Sequence, residues 1–252
     1  MNKIKNFLLG LLILFLLALI AAGAYFLYHE KHKTTDELLE LEKQKSQMAW
    51  EENLAYAIKE RPKYDYVIVL NPAHGGSDAG HKNAFGTEKD ITLAICKKVM
   101  EKNTDSSIGI FLTRTTDVAL TETMRLDFIN RMEPDLFLDV HLDKTSARDA
   151  GTFVCYDTTY YNRKLSNVTL ADRMEKNVVS SIEGYAVGIT DLTGSEESGL
   201  LKNLTMPAAR IVCGNMSGKT EGELLSRDNY RERLAAGILE GIMEVRDLSE
   251  AE

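Results

Sequence analysis

The stretch 66-YVIVLNPAHGGSDAG-80 decides the fold that this sequence predicts. It opens with a continuous apolar run, Tyr66–Leu70, which is typical of a buried strand. The run leads into a long loop, Asn71–Thr87, that contains His74 and four glycines. Because glycines let backbone approach a ligand closely, we interpret this loop as part of a site rather than as a flexible connector.

Strand-like and helix-like runs alternate along the rest of the chain. The strand-like runs are Tyr66–Leu70, Ile108–Leu112, Leu136–Val140, Gly151–Tyr156 and Ala208–Cys213. The helix-like runs are Glu88–Lys102, Thr121–Met132, Asn167–Gly184 and Arg227–Val245. Such alternation predicts an α/β domain with a mostly parallel sheet flanked by helices.

The N-terminal segment, residues 1–33, is expected to be a membrane anchor. Phe7–Tyr28 is almost without polar side chains and is long enough to cross a bilayer as a helix. A cleaved signal peptide is the competing interpretation, with Ala22–Ala24 as its small-residue exit. The apolar run continues beyond that exit, which favours the uncleaved anchor. Lysines flank both sides of the run, so lysine counting does not settle the orientation.

Residues 34–63 predict a helical stalk, and the globular domain is expected to occupy residues 64–252. The stalk is rich in Glu, Lys, Gln and Leu, and a proline at position 62 marks its end. A weak dimer through a coiled coil is the lesser option. Three apolar residues approach heptad spacing and two charged residues interrupt it: Leu38, Leu41 and Met48, then Lys45 and Glu52.

Composition limits the functional classes. The formal net charge of −8 argues against nucleic-acid binding, which requires a basic face. The three cysteines, Cys96, Cys155 and Cys213, lie in apolar runs and match no cysteine-rich zinc motif. We interpret them as buried thiols, although one disulfide with a spare thiol stays open for a protein outside the cytoplasm.

Three residues predict a zinc site. His74 follows the first strand-like run, Glu88 opens a helix-like run, and His141 ends the strand-like run in 134-PDLFLDVHLD-143. Two imidazoles and one carboxylate suit catalytic zinc, because three protein ligands leave the fourth position for water. Such a site activates water near neutral pH and would make this domain a hydrolase.

The order of short motifs between about Tyr66 and Val245 resembles one enzyme family. The motifs are Ala73-His74-Gly75-Gly76, Glu88-Lys89-Asp90, Thr113-Arg114 with Asp117, Arg125 with Asn130, Asp139-Val140-His141-Leu142-Asp143, Met206-Pro207 and Tyr230-Arg231. In this order and spacing the chain resembles the zinc-dependent N-acetylmuramoyl-L-alanine amidases of amidase family three.

The resemblance implies a function. His74, Glu88 and His141 would hold Zn²⁺. The hydrolysed bond would be the amide between N-acetylmuramic acid and L-alanine in peptidoglycan. Because that substrate lies outside the cytoplasm, the resemblance places the C-terminal domain there, on a single-pass anchor.

One departure from the family pattern concerns the general base. The family has a glutamate four residues after the alanine of its Met-Pro-Ala motif, and here that position is Val212. Asp139 is two residues before His141 and shares its face of the strand, so it is the candidate for a substitute base or for orienting a ligand histidine. A structural ion pair with a nearby Lys or Arg is the equal alternative.

Two functional classes follow from these residues. The first is a membrane-tethered zinc amidase, which the retained ligands favour. The second is a degenerate amidase domain that binds cell wall or a partner protein without cutting, which Val212 favours. A zinc peptidase of altered specificity is a weaker third class.

Overall fold

The computed structural model describes residues 2–145, 151–160, 165–183 and 186–251. Its helices are Asn2–Glu60 (α1), Glu88–Lys102 (α2), Glu122–Met132 (α3), Asn167–Ile182 (α4), Lys219–Ser226 (α5) and Asp228–Glu250 (α6). Its strands are Tyr66–Pro72 (β1), Lys82–Asn83 (β2), Gly86–Thr87 (β3), Ile108–Leu112 (β4), Leu136–Asp143 (β5), Thr152–Tyr156 (β6), Ala186–Asp191 (β7) and Ala208–Asn215 (β8).

Six strands form one sheet in the order β4-β1-β5-β8-β6-β7. All its neighbouring pairs are parallel except β6 and β8, which are antiparallel. The predicted class, a mostly parallel sheet flanked by helices, is therefore confirmed. β2 and β3 form a separate two-stranded hairpin inside the glycine-containing loop.

The sheet is buried on both faces by helices. Alternate side chains of β1 point to opposite sides: Ile68 and Leu70 pack in the cluster with α2, α4 and α6, whereas Val67 and Val69 pack in the cluster with α3 and the end of α1. All four side chains are at most 1% exposed. Burial on both faces explains why β1 is a continuous apolar run.

The sequence missed β7 and α5, which lie outside the predicted runs. β7 is an edge strand whose side chains are mostly exposed, and it contains Gly188, so it lacks an apolar run. α5 has only eight residues, too few for a clear helical period. The predicted end of α4 at Gly184 lies outside the described residues.

The C-terminal part of α1, from Ser46 onward, belongs to the globular unit. Contacts divide the chain into Met1–Lys45 and Ser46–Glu252, whereas the sequence suggested a stalk that extends to residue 63. Trp50, Leu54 and Ala57 are at most 9% exposed, and the Trp50 indole Nε1 donates to the Met124 carbonyl at 3.1 Å. Their spacing of four and three residues places them on one helix face, which packs against the domain.

The first part of α1 has the length and composition to cross a bilayer. An N-terminal signal sequence passes the same test. Large apolar side chains there, such as Leu14 and Phe26, are exposed. The three cysteines are free and buried, as the thiol interpretation predicted.

Candidate metal centre

Three separate elements bring His74, Glu88 and His141 together. His74 follows β1, Glu88 is the first residue of α2, and His141 lies near the end of β5. Because β1 and β5 are parallel neighbours, their carboxyl ends meet at one edge of the sheet. One ligand atom from each residue lies within 4.8 Å of the others.

Glu88 is the central group of this trio. Its Oε2 lies 3.1 Å from His74 Nε2, and its Oε1 lies 3.3 Å from His141 Nδ1. The Glu88 side chain is fully buried, and each oxygen also accepts a backbone N–H, from His81 at 3.1 Å and from Leu142 at 3.0 Å. The carboxylate is thus fixed between the two imidazole rings.

The contacts within the trio stabilise the ionised form of Glu88 and the protonated forms of His74 and His141. Burial by itself raises the pKa of Glu88, but hydrogen bonds from His141 and His74 outweigh it and hold that pKa far below its usual range. The hydrogen bond to Glu88 raises the pKa of His74. Burial lowers the pKa of His141, yet the charge of Asp139 and hydrogen bonds to Asp139 and Glu88 raise it overall. The buried negative charge therefore needs a cation between the rings, either protons or a metal.

His74 is held from behind by the glycine-containing loop. Its Nδ1 lies 2.8 Å from Asp78 Oδ2, and Asp78 Oδ1 in turn accepts the Gly80 N–H at 3.1 Å. A Cβ on Gly80 would lie 2.5 Å from His74 Cδ2 and 2.7 Å from Glu88 Oε2. Gly80 also has a φ of +61°, so both its conformation and its neighbours require glycine.

His141 is held from behind by Asp139. The His141 Nε2 lies 3.2 Å from Asp139 Oδ2, on the side of the ring away from Glu88. Asp139 also accepts from Arg210 Nε at 2.8 Å and from Asn71 Nδ2 at 2.7 Å, and it is 1% exposed. Burial raises the pKa of Asp139, but the charges of His141 and Arg210 outweigh it and lower that pKa well below its usual range.

Two buried arginines hold the end of β1 rather than a ligand. Arg125 donates to Asn71 Oδ1 and, through its Nη2, to the His74 carbonyl at 2.8 Å. Arg114 donates to the Ala73 carbonyl at 2.9 Å and is 1% exposed. These bonds give both arginines a structural role at the end of β1.

The residues of the trio fit a zinc ion. Two tetrahedral ligands at about 2.0–2.1 Å from zinc lie roughly 3.4 Å apart. Glu88 Oε2 lies 3.1 Å from His74 Nε2 and Glu88 Oε1 lies 3.3 Å from His141 Nδ1. One ligand atom from each of the three residues lies within 4.8 Å of the others, so the trio can converge on one ion. The imidazoles are each backed by a carboxylate, as metal-ligating histidines usually are. A cleft of about 230 Å³ opens beside them and includes Glu122 and Arg210 in its lining.

Val212 lies beside His141 on the neighbouring strand. The two residues are paired in the register of β5 and β8, so their side chains lie on the same face of the sheet. Val212 is 5% exposed and packs with Cys155 and Leu192. The Val212 side chain itself has no atom that accepts a proton.

The sequence did not predict two contacts near the metal centre, that of Asp78 with His74 and that of Arg210 with Asp139. Asp78 is four residues after His74 in the loop, a spacing that could have indicated it as the partner of that histidine. Arg210 is separated from Asp139 by 71 residues in the sequence, so only strand pairing brings them together. The His81 side chain, in the glycine-containing loop, is 41% exposed, and its Nε2 lies 3.8 Å from Glu88 Oε2.

Comparisons with known proteins agree with the geometry. The family model described as N-acetylmuramoyl-L-alanine amidase matches residues 68–244. The germination-specific N-acetylmuramoyl-L-alanine amidase of Bacillus subtilis is 26% identical over 192 residues, which cover 70% of this chain and 78% of that protein.

Solved amidase structures share the fold. The amidase AmiC2 of Nostoc punctiforme has a TM-score of 0.65 at 23% identity, over 73% of this chain and 98% of that one. The CwlD amidase of Clostridioides difficile, solved in complex with the GerS lipoprotein, has a TM-score of 0.62 at 23% identity, over 72% and 98%.

Proposed function

Because the chain belongs to the N-acetylmuramoyl-L-alanine amidase family, we propose that it is a zinc-dependent hydrolase of peptidoglycan. The bond it cuts is the amide between N-acetylmuramic acid and L-alanine. The observation that carries this proposal is the convergence of His74, Glu88 and His141, one ligand atom of each within 4.8 Å of the others.

Each residue of the site has a defined part in the reaction. His74, Glu88 and His141 would hold the zinc ion. Bound there, zinc supplies Lewis acidity, which polarises a carbonyl and activates water for attack. Asp78 and the backbone donors to Glu88 keep the ligands oriented. The 230 Å³ cleft beside the histidines admits the substrate amide.

The alternative function is a degenerate domain that binds cell wall or a partner protein without cutting. The observation that favours it is Val212, which lies beside His141 where the resemblance places the general base. A general base contributes on the order of 10²–10⁴ in rate, so its absence predicts slow turnover or none.

The test is digestion of peptidoglycan by the purified full-length protein in detergent. Amide cleavage exposes the amino group of L-alanine, which is labelled and counted with and without a chelator. We expect new amino groups that the chelator abolishes and added zinc restores. His141→Ala should abolish them, whereas His32→Ala, which changes a histidine of α1 outside the globular unit, should not.

The outcomes separate the two functions. Zinc binding without release of amino groups, from any tested wall preparation, would support the binding module. A protein that takes up no zinc after supplementation would refute the metal site and with it the amidase proposal. Because the C. difficile relative was solved with a lipoprotein, the assay is repeated with membrane extract to detect an activating partner.

We also propose that the first part of α1 is a single-pass anchor with the C-terminal domain outside the cytoplasm. Its exposed apolar side chains need a lipid environment, and the substrate of the family lies outside. Protease protection in intact cells tests the orientation. The weak dimer stays a prediction. Leu38 and Met48 are 67% and 69% exposed, and crosslinking in detergent would detect their pairing.

A further inference from the structure

We propose that Asp139 and Arg210 form a clamp that positions His141, so that its Nδ1 is presented to the metal. Asp139 is therefore a positioning residue and not the substitute for the missing base. This inference rests on the proposed zinc site and deepens it, because it assigns the ring nitrogen that binds and the groups that select it.

The two ring nitrogens of His141 have different partners. Nδ1 lies 3.3 Å from Glu88 Oε1, and Nε2 lies 3.2 Å from Asp139 Oδ2. Both partners are carboxylates, which accept a hydrogen bond and cannot donate one. Because Glu88 is itself a proposed metal ligand, the metal would lie between Glu88 and Nδ1, and Asp139 then holds the ring hydrogen on Nε2. That form leaves Nδ1 with a free lone pair on the side of Glu88, where the other ligand atoms lie.

Asp139 lines the cleft, but both of its carboxylate oxygens already have partners. Its Oδ1 accepts from Asn71 Nδ2 at 2.7 Å, and its Oδ2 accepts from Arg210 Nε at 2.8 Å as well as facing His141. The side chain is 1% exposed, so rotation would leave buried donors unpaired. Both oxygens are thus committed to holding neighbours.

Arg210 is fixed by its strand pairing and by a hydrogen bond from its side chain. It is paired with Asp139 in the register of β5 and β8, and its Nη1 donates to the Glu197 carbonyl at 2.8 Å. A buried carboxylate is costly unless it is paired, and Arg210 supplies the compensating charge. Among the described contacts, Arg210 reaches the His141 ring through Asp139.

The clamp is tested by measuring the zinc affinity of the full-length protein in competition with a chromophoric chelator. Removing such a supporting group typically costs about 10–100-fold in metal affinity, so we expect that loss for Asp139→Asn. Arg210→Gln should lose less, and adding it to Asp139→Asn should cost nothing further, because Arg210 acts through Asp139. Asp135→Asn is the matched control. It removes a carboxylate that precedes the same strand and bonds only the Val67 N–H among the contacts described, so affinity should not change.

A spectroscopic measurement separates positioning from a general loss of structure. Long-range proton–nitrogen correlation spectra of the zinc-loaded protein should show hydrogen on Nε2 of His141 and metal on Nδ1. In Asp139→Asn, the second ring form should appear while the signals of His74 stay in place. If Asp139→Asn fails to fold, Arg210→Gln carries the same test, because it leaves the carboxylate present but removes the arginine that fixes its Oδ2.

The failures are distinguishable. A folded Asp139→Asn variant with wild-type zinc affinity, or metal on Nε2 of His141, would overturn the clamp and leave the amidase proposal standing. A wild-type protein without zinc would overturn both.

Discussion

Val212→Glu is expected to convert a slow or inactive site into a faster one. Val212 is paired with His141 on the adjacent strand, about 4.8 Å away by ordinary strand spacing, and both side chains lie on one face of the sheet. A glutamate there extends beyond the valine methyl groups and brings a carboxylate next to the proposed metal ligands. This is the position where the resemblance places the general base.

The expected gain follows from the role of a base. A general base contributes on the order of 10²–10⁴ in rate. At about 1.4 kcal/mol for each factor of ten, this is roughly 3–5 kcal/mol of transition-state stabilisation. Val212 is 5% exposed and packs with Cys155 and Leu192, so the carboxylate also loses solvation. We expect the free energy of unfolding to fall by about 1–3 kcal/mol, a typical cost for a poorly paired buried polar group.

The assay compares initial rates of amino-group release from peptidoglycan for wild type, Val212→Glu and Val212→Gln. Glutamine has the same length and occupies the same space but cannot accept a proton, so it controls for packing. Zinc content and thermal unfolding are measured on each variant. A Val212→Glu protein that folds, holds zinc and is no faster than Val212→Gln would refute the idea that the missing base limits this enzyme.

Three further changes test other parts of the structure. Trp50→Ala removes a core side chain and its bond to Met124, so it should lower the free energy of unfolding by about 3–5 kcal/mol in a denaturant titration. No change would show that α1 does not pack on the domain. Gly80→Ala should weaken zinc binding while circular dichroism stays unchanged, because its Cβ would meet His74 and Glu88 at 2.5 and 2.7 Å; unchanged affinity would contradict the site geometry. With a chelator present, raising the pH should destabilise the protein. The pKa values of His74 and His141 are higher in the folded than in the unfolded protein, so their protonation stabilises the fold fully below about pH 6.5. This stabilisation is lost as the pH rises through the pKa values of the folded protein. In zinc, the melting temperature should instead rise over the same range, because metal needs neutral imidazoles.

Local patterns predicted most of the sheet and the helices next to the site. β4 and α2 have the bounds that the sequence indicated, because a buried strand and a helix with one buried face each have a clear apolar period. β7 was missed because an edge strand with exposed side chains has no such period. The buried stripe of Trp50, Leu54 and Ala57 was missed because charged residues surround it in the stalk-like segment.

The sequence by itself determined the class of fold and the types of residue at the proposed metal site. It did so because burial and metal ligation each require particular side chains at particular points of a strand or helix. Only the tertiary structure decided which groups support those ligands. Arg210 reaches Asp139 across 71 residues, and Val212 lies beside His141, because β8 pairs with β5 in one register. Strand register is set by packing of the whole sheet, so no local pattern encodes these contacts.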